Sequence, residues 1–201
     1  MRKTRARRVA QRLVVALVIF LEGEYTLAQA PAAPDGDRWH ALVSYGQASA
    51  PRSQGFAEAA TLSVARDLRL GPHFSLGIEL TPLFVVNQTR VDLPGRPREV
   101  AYAVAVSPLL AWTYLPKTSR FGLRLEGAVG IFWGFSRIPA EGSQFNFLDE
   151  FTGLVLFRWG RDRLVSLGIR RVHVSNLGLA GSDNPGLSVY SGAVGLSWPA
   201  R

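Results

Sequence analysis

The sequence contains no cysteine. A disulfide framework and a thiolate metal site are therefore both excluded. Histidine is scarce as well. His40, His73 and His173 are scattered along the chain, and no H-E-x-x-H occurs. That spacing does not build a zinc cluster, so no metal-ligating residues are expected among them. After the first thirty residues there is no long apolar run, which leaves no candidate for a membrane-spanning helix in the body of the chain. Helical periodicity is missing at any useful length. What the chain has instead is glycine, aromatic residues, and apolar residues at every second position.

Residues 1–28 read as a targeting segment. "MRKTRARR" is a basic start, "LVVALVIFL" (Leu13 to Leu21) is a short apolar stretch, and "TLAQA" offers small residues for cleavage. The apolar stretch is too short to span a bilayer, and the three parts together match a secretory signal peptide. Cleavage after Ala28 satisfies the small-x-small rule through Thr26 and Ala28, whereas a cut after Ala30 would abut Pro31. Without this segment 17 basic and 13 acidic residues remain, a net of +4 against +8 for the whole chain. The basic balance is thus partly the leader's, and nucleic acid is not an expected partner. Residues 29–37, "QAPAAPDGD", read as a flexible N-terminal leader.

From residue 38 onward the dominant period is two, the period of a strand. Eight segments carry it: about 38–48, 58–70, 74–86, 99–114, 121–135, 146–159, 163–175 and 188–198. The connections alternate in length. Those at Gly71–His73, Pro116–Ser119 and Gly160–Asp162 are short, and those near 49–57, 87–98, 136–145 and 176–187 are long and polar. An even strand count with short turns on one side and long loops on the other predicts an all-β fold. Specifically, residues 38–201 form an eight-stranded antiparallel transmembrane β-barrel of outer-membrane type. In the last strand Tyr190, Val194, Leu196 and Trp198 share the face assigned to lipid, and Ser191, Ala193 and Ser197 share the face assigned to the interior. In the sixth, Phe147, Phe151, Val155, Phe157 and Trp159 face out, and Asn146, Glu150, Thr152 and Arg158 face in. Eight strands leave an interior that side chains just fill, so no pore is expected. The alternative is a soluble eight-stranded barrel with its large apolar residues inside, around a ligand.

Strand seven, "RLVSLGIRRVHVS", has one face that departs from this scheme. Val165, Leu167 and Ile169 are followed on the same face by Arg171, His173 and Ser175. The face is apolar near the short turn and polar at the far end, where headgroups begin. Residues two apart in a strand point the same way, so the His173 imidazole can approach the Ser175 hydroxyl and take its proton. Asn176, at the strand's end, is placed to aim its amide or a nearby N–H at a developing oxyanion. Folding the chain about Arg161 sets Asp149 opposite His173. Asp149 then either orients and charge-stabilises the ring or is an interfacial charge among headgroups. Arg171, on the same face, either binds a phosphate of the ligand or snorkels to the interface.

The stretch from Leu167 to Trp198, "LGIRRVHVSNLGLAGSDNPGLSVYSGAVGLSW", resembles the final hairpin of the PagL-type lipid A 3-O-deacylases, with an H-x-S-N sequence, a downstream N-P-G and a closing glycine-aromatic strand. "FNFLDEFTGLVLFRW" and "IELTPLF" are similar more weakly. The resemblance implies an eight-stranded outer-membrane barrel, exported through a cleaved signal peptide. It implies an esterase that hydrolyses the 3-O-linked acyl chain of lipid A in the outer leaflet, without a cofactor. His173 is then the base, Ser175 the nucleophile and Asn176 an oxyanion-hole contributor. One departure stands out. Where the resemblance would place an orienting glutamate, this chain has Leu187 and Ser188. Alternation puts Ser188 on the His173 side, so Ser188 is the candidate stand-in. A hydroxyl holds a tautomer but does not neutralise imidazolium, and losing the acid of a Ser-His-Asp triad costs on the order of 10⁴ in turnover. A catalytically inactive structural or adhesive outer-membrane barrel is therefore the rival reading.

Further candidates are peripheral. Arg90, Arg96 and Arg98, in the second long loop, either contact a sugar-phosphate layer or are simply solvated. His40 and His73 fall near the short-turn end and are expected at the interface. Trp39, Trp112, Trp133, Trp159 and Trp198 fall near strand ends or outer faces, as an aromatic girdle requires.

Overall fold

The computed structural model describes residues 36–49, 57–89, 95, 97–140, 142–179 and 186–200. The expected signal peptide, residues 1–28, and most of the expected leader lie outside the described residues. Alternating side chains allow one strand to face two solvents at once, and the chain folds accordingly. The strands are β1 (Arg38–Ser49), β2 (Glu58–Arg69), β3 (Phe74–Thr89), β4 (Arg98–Tyr114), β5 (Phe121–Gly134), β6 (Phe145–Trp159), β7 (Arg163–Ser175) and β8 (Leu187–Pro199). Each pairs with the next, and β8 returns to β1, closing an antiparallel barrel. Closure leaves no open sheet edge, so the strands' backbone groups pair within the sheet except at local irregularities such as that between Thr81 and Phe84. That is what a lipid environment demands. The soluble-barrel alternative fails on the side chains: Ile78, Val129, Ile131, Leu167, Ile169 and Val194 stand on the exposed outer wall.

The eight expected segments are these eight strands. The short connections lie at one end, with the first residues of β1 and the last of β8. The tightest, between β6 and β7, turns on Gly160, whose φ of 73° is in the left-handed region that favours glycine. At the other end β3 and β4 run to 16 and 17 residues, well beyond the roughly 9–11 that a bilayer crossing needs. They carry the wall past the membrane surface. Pro82, which has no N–H to give a ladder, falls where β3 slips register against both neighbours, between Thr81 and Phe84 on the β4 side. Gly168 is required for contact: a Cβ there would collide with the backbone carbonyl of Gly153 on β6.

The interior is layered, and at the short-turn end it keeps a cavity of about 300 Å³ lined by Asp67, Arg124, Leu156, Leu164 and Ser197. Near the short turns, Arg124 binds Asp67 at 2.6 Å and Glu126 at 2.5 Å, and His40 Nδ1 is 2.8 Å from Ser197 Oγ. Leu42, Leu154, Leu156 and Leu164 pack alongside. In the middle, Arg170 is caught between Glu79 of β3 and Glu150 of β6, and its Nη1 donates to Ser63 Oγ at 2.8 Å. Ser44–Thr61 and Ser63–Thr81 hydroxyl pairs line the same level. Toward the long loops the filling turns apolar. Phe84 and Phe132 meet edge to face at 5.1 Å, with Val86, Ile138, Leu148, Val172, Val174, Leu187 and Val189 around them. This plug closes the long-loop end of the barrel.

One sequence expectation is corrected here. His40 is not an interfacial group; it is 2 % exposed and points into the lumen. It sits one residue from Trp39, and alternation sends Trp39 outward, opposite Trp198 of β8. His73 does lie at the turn end, exposed, 3.0 Å from the Thr113 carbonyl oxygen.

The buried charges give a direct test. Removing one partner of a buried ion pair leaves an uncompensated charge, a loss of about 3–5 kcal/mol. Arg170→Met is expected to lower stability by that amount in urea unfolding of the reconstituted barrel. Adding Glu79→Gln and Glu150→Gln in the same chain is expected to recover most of the loss.

Candidate active site on the outer wall

β7 is held in place from within. Val172 and Val174 are 1 % and 0 % exposed, locked into the apolar plug. The residues between and after them, His173 and Ser175, therefore point outward. The wall behind the candidate pair is packed on its inner side, which restricts movement of the backbone that carries it.

The ring of His173 is flanked by both neighbouring strands. In register it stands opposite Asp149 of β6 and opposite Ser188 of β8. A hydrogen bond of 2.8 Å joins His173 Nδ1 to Ser188 Oγ. This fixes the ring's orientation and leaves Nε2 as the nitrogen for chemistry. The approach of the loop is equally tight, because a Cβ at Gly186 would lie 2.7 Å from the ring's Cε1. Only a residue without a side chain fits there undisturbed. Among the described residues, no hydrogen bond links the Ser175 hydroxyl to the His173 ring; catalytic contacts of this kind often close only around substrate.

Ser175 and Asn176 are both buried, at 6 % and 4 % exposed. Asn176 caps the end of β7. Its Oδ1 accepts the Gly178 N–H at 2.8 Å, and its carbonyl accepts the Leu179 N–H at 3.0 Å. The turn so formed puts Leu177 at a φ of 53° and Gly178 at 77°. Left-handed backbone in a leucine costs about 1–2 kcal/mol, and such strain collects at functional sites.

Ser175 opens onto a groove in the outer wall of about 770 Å³. Its floor is apolar: Ile78 of β3, Val106 and Pro108 of β4, Val129 and Ile131 of β5, and Phe147 of β6. Asp149 and Leu177 also line the groove. The volume falls in the range of roughly 300–1,000 Å³ that small-molecule sites occupy. A mostly apolar groove lined by a serine and an aspartate suits an amphiphile.

Of the residues singled out in the sequence, the structure brings His173 and Ser188 into direct contact and sets Asp149 and Ser175 along one groove. Asp149, however, does not touch the ring through a hydrogen bond. Arg171 Nη1 donates to its Oδ1 at 2.8 Å, both side chains being partly exposed at 39 % and 46 %. The two residues belong together, a pairing that sequence reasoning treated as two separate roles. The signal was available: on an antiparallel pair the diagonal neighbour lies within reach of a long side chain, and Arg171 is diagonal to Asp149. Gly186 and the groove floor were missed. Arg98 begins β4, while Arg90 and Arg96 lie outside the described residues.

A family model described as lipid A 3-O-deacylase (PagL) matches residues 56–197, well over half the chain. Among solved structures, the outer membrane enzyme PagL matches with 16% identity and a TM-score of 0.54, over 80% of this chain and 99% of that one. Neisserial surface protein A matches with 11% identity and a TM-score of 0.59, over 83% and 98%. The outer membrane protein OprG from Pseudomonas aeruginosa matches with 10% identity and a TM-score of 0.53, over 83% and 97%. At these identities the three likenesses concern the fold. No curated protein sequence matches the chain.

The ring contact predicts a spectroscopic outcome. Ser188→Ala is expected to shift the His173 imidazole nitrogen resonances in NMR of the folded barrel, as Nδ1 loses its partner. Stability is expected to fall by no more than the 0.5–1.5 kcal/mol or so of one hydrogen bond. Unchanged resonances would mean that Ser188 does not hold the ring.

Proposed function

The chain belongs to the lipid A 3-O-deacylase (PagL) family, and from that membership we propose that it is an outer-membrane serine esterase releasing the 3-O-linked acyl chain of lipid A. The export route is the signal peptide expected at residues 1–28, and the workplace is the outer leaflet, where the substrate is itself a membrane component. The observation that carries the reading is an oriented outward histidine two residues from Ser175, which lines a mostly apolar groove.

In this mechanism the acyl chain lies along Ile78, Val106, Val129, Ile131 and Phe147, which presents the ester carbonyl at Ser175. His173 Nε2 takes the proton of Ser175 Oγ as the oxygen attacks the carbonyl carbon. Negative charge on the carbonyl oxygen is met by the Asn176 amide, a dipole already fixed by the turn, and preorganised donors of this sort are worth about 3–4 kcal/mol. Collapse breaks the bond to the sugar oxygen, which leaves with the proton from His173. Water, activated by the same imidazole, then frees the fatty acid and restores Ser175.

Ser188 keeps the ring's tautomer but contributes no charge as imidazolium forms. The rival reading, an inactive structural or adhesive barrel, draws on that deficit. Mass analysis of lipid A from cells expressing each form decides between them. Wild type is expected to remove the 3-O chain, and Ser175→Ala and His173→Ala are expected to leave it in place; unaltered acylation with all three would support the rival. Supplying the acid is the converse test. Ser188→Glu is expected to raise kcat by at least about tenfold, a fraction of the roughly 10⁴ that an orienting acid is worth in a triad, measured on purified barrel in mixed micelles.

A further inference from the structure

The arrangement around His173 contains a carboxylate that is close but occupied. Asp149 and His173 are directly opposed on β6 and β7, and both point to the outer wall. Opposed residues on such a pair have Cβ atoms about 4.5–5.5 Å apart. A change of rotamer at Asp149 is therefore enough to bring its carboxylate to the imidazole. What holds it away is Arg171, which donates to Oδ1 at 2.8 Å. While the bridge is closed, the two charges cancel beside the ring, and the site offers imidazolium nothing beyond the neutral Ser188 hydroxyl.

The bridge is weak by construction. Its two side chains are 39 % and 46 % exposed, and pairs this open contribute about 0–1 kcal/mol. A phosphate carries more charge than a carboxylate and offers a guanidinium a bidentate acceptor. An anionic group arriving beside the groove would displace Asp149 from Arg171 at little cost. Arg171 stands two residues before His173 on the same face, opposite Tyr190 of β8 and Phe151 of β6.

Resting on the proposed esterase activity, we infer that Arg171 and Asp149 form a phosphate-operated switch on the base. A phosphate of the acylated glycolipid binds Arg171. Asp149 is released, and its charge then stabilises the His173 imidazolium as Ser175 attacks. Arg171 is the recognition residue and Asp149 a positioning residue that acts through His173. The substrate class is an acylated sugar lipid bearing a phosphate, and selection for that phosphate appears in kcat rather than only in KM. The neutral Ser188 hydroxyl is then complemented by an acid that becomes available when the correct substrate is bound.

The test uses the purified mature barrel in mixed micelles with two synthetic esters, an acylated glucosamine lipid carrying a phosphate and the same lipid without it. Wild type is expected to show a kcat at least about tenfold higher on the phosphorylated ester, a barrier difference of about 1.4 kcal/mol. Asp149→Asn is expected to bring the two kcat values together by lowering the first, with KM for that ester little changed. Arg171→Gln is expected to raise KM for the phosphorylated ester and to lift kcat on the phosphate-free one, because Asp149 is then released without a ligand. Arg171→Lys, which keeps the charge, should regain part of the discrimination. Circular dichroism of each variant reports that the barrel is intact. If wild type hydrolyses both esters with equal kcat and Ser175→Ala abolishes both, the switch is overturned and the esterase reading survives. Asp149→Asn with the wild-type kcat ratio overturns it in the same way. No hydrolysis of either ester by wild type overturns both.

Discussion

Everything at the outer site depends on Arg170 being inside. Its guanidinium is bound by Glu79 from β3 and Glu150 from β6, charges that have no tolerable place on the lipid wall. A slip of β7 by one residue would carry Arg170 out into hydrocarbon and strand two carboxylates in the lumen. Such a slip reverses every side chain of the strand. The ion cluster therefore specifies parity rather than supplying net stability, since buried ion pairs seldom improve on apolar packing. Three residues later that parity puts His173 outward, and five residues later Ser175. The Arg171–Asp149 pair follows from the same registration.

The two ends of the lumen are filled differently, and the difference suits the site. The charged layers sit toward the short turns and the middle, while the long-loop end is packed with Phe84, Phe132 and aliphatic side chains. Val172 and Val174 belong to that packing and back directly onto the strand segment bearing His173. Dense apolar packing resists small displacements, so the strand segment bearing His173 is backed by a well-packed part of the wall. The strained Leu177 turn stands at the rim of the outer site.

Much of this was legible before any coordinates. Period-two alternation located all eight strands, because each wall residue has to match either lipid or lumen and few sequences satisfy both by accident. The same parity put Ser188 beside His173, and counting back from the β6–β7 turn put Asp149 opposite it. The failures share a cause too. His40 was assigned by its place along the strand, near a girdle of tryptophans, when its parity already pointed inward. The Arg171–Asp149 bridge is a diagonal contact, which depends on sheet twist and side-chain length rather than on order in the chain. The groove is assembled from β3 to β7, and its floor residues look like ordinary lipid-facing positions until the strands are curved together. Gly186 was invisible because its role is set by a ring thirteen positions away.

Under the proposed function, His173 and Ser175 on the outside of a closed wall meet their ligand only from within the surrounding sheet of amphiphiles. Collisions there occur in two dimensions. Their frequency follows the mole fraction of the ligand among its lateral neighbours and the viscosity of that layer, not the amount dissolved in bulk water. Adding inert lipid or detergent therefore slows such a protein by surface dilution even when the total quantity of every reactant is held constant.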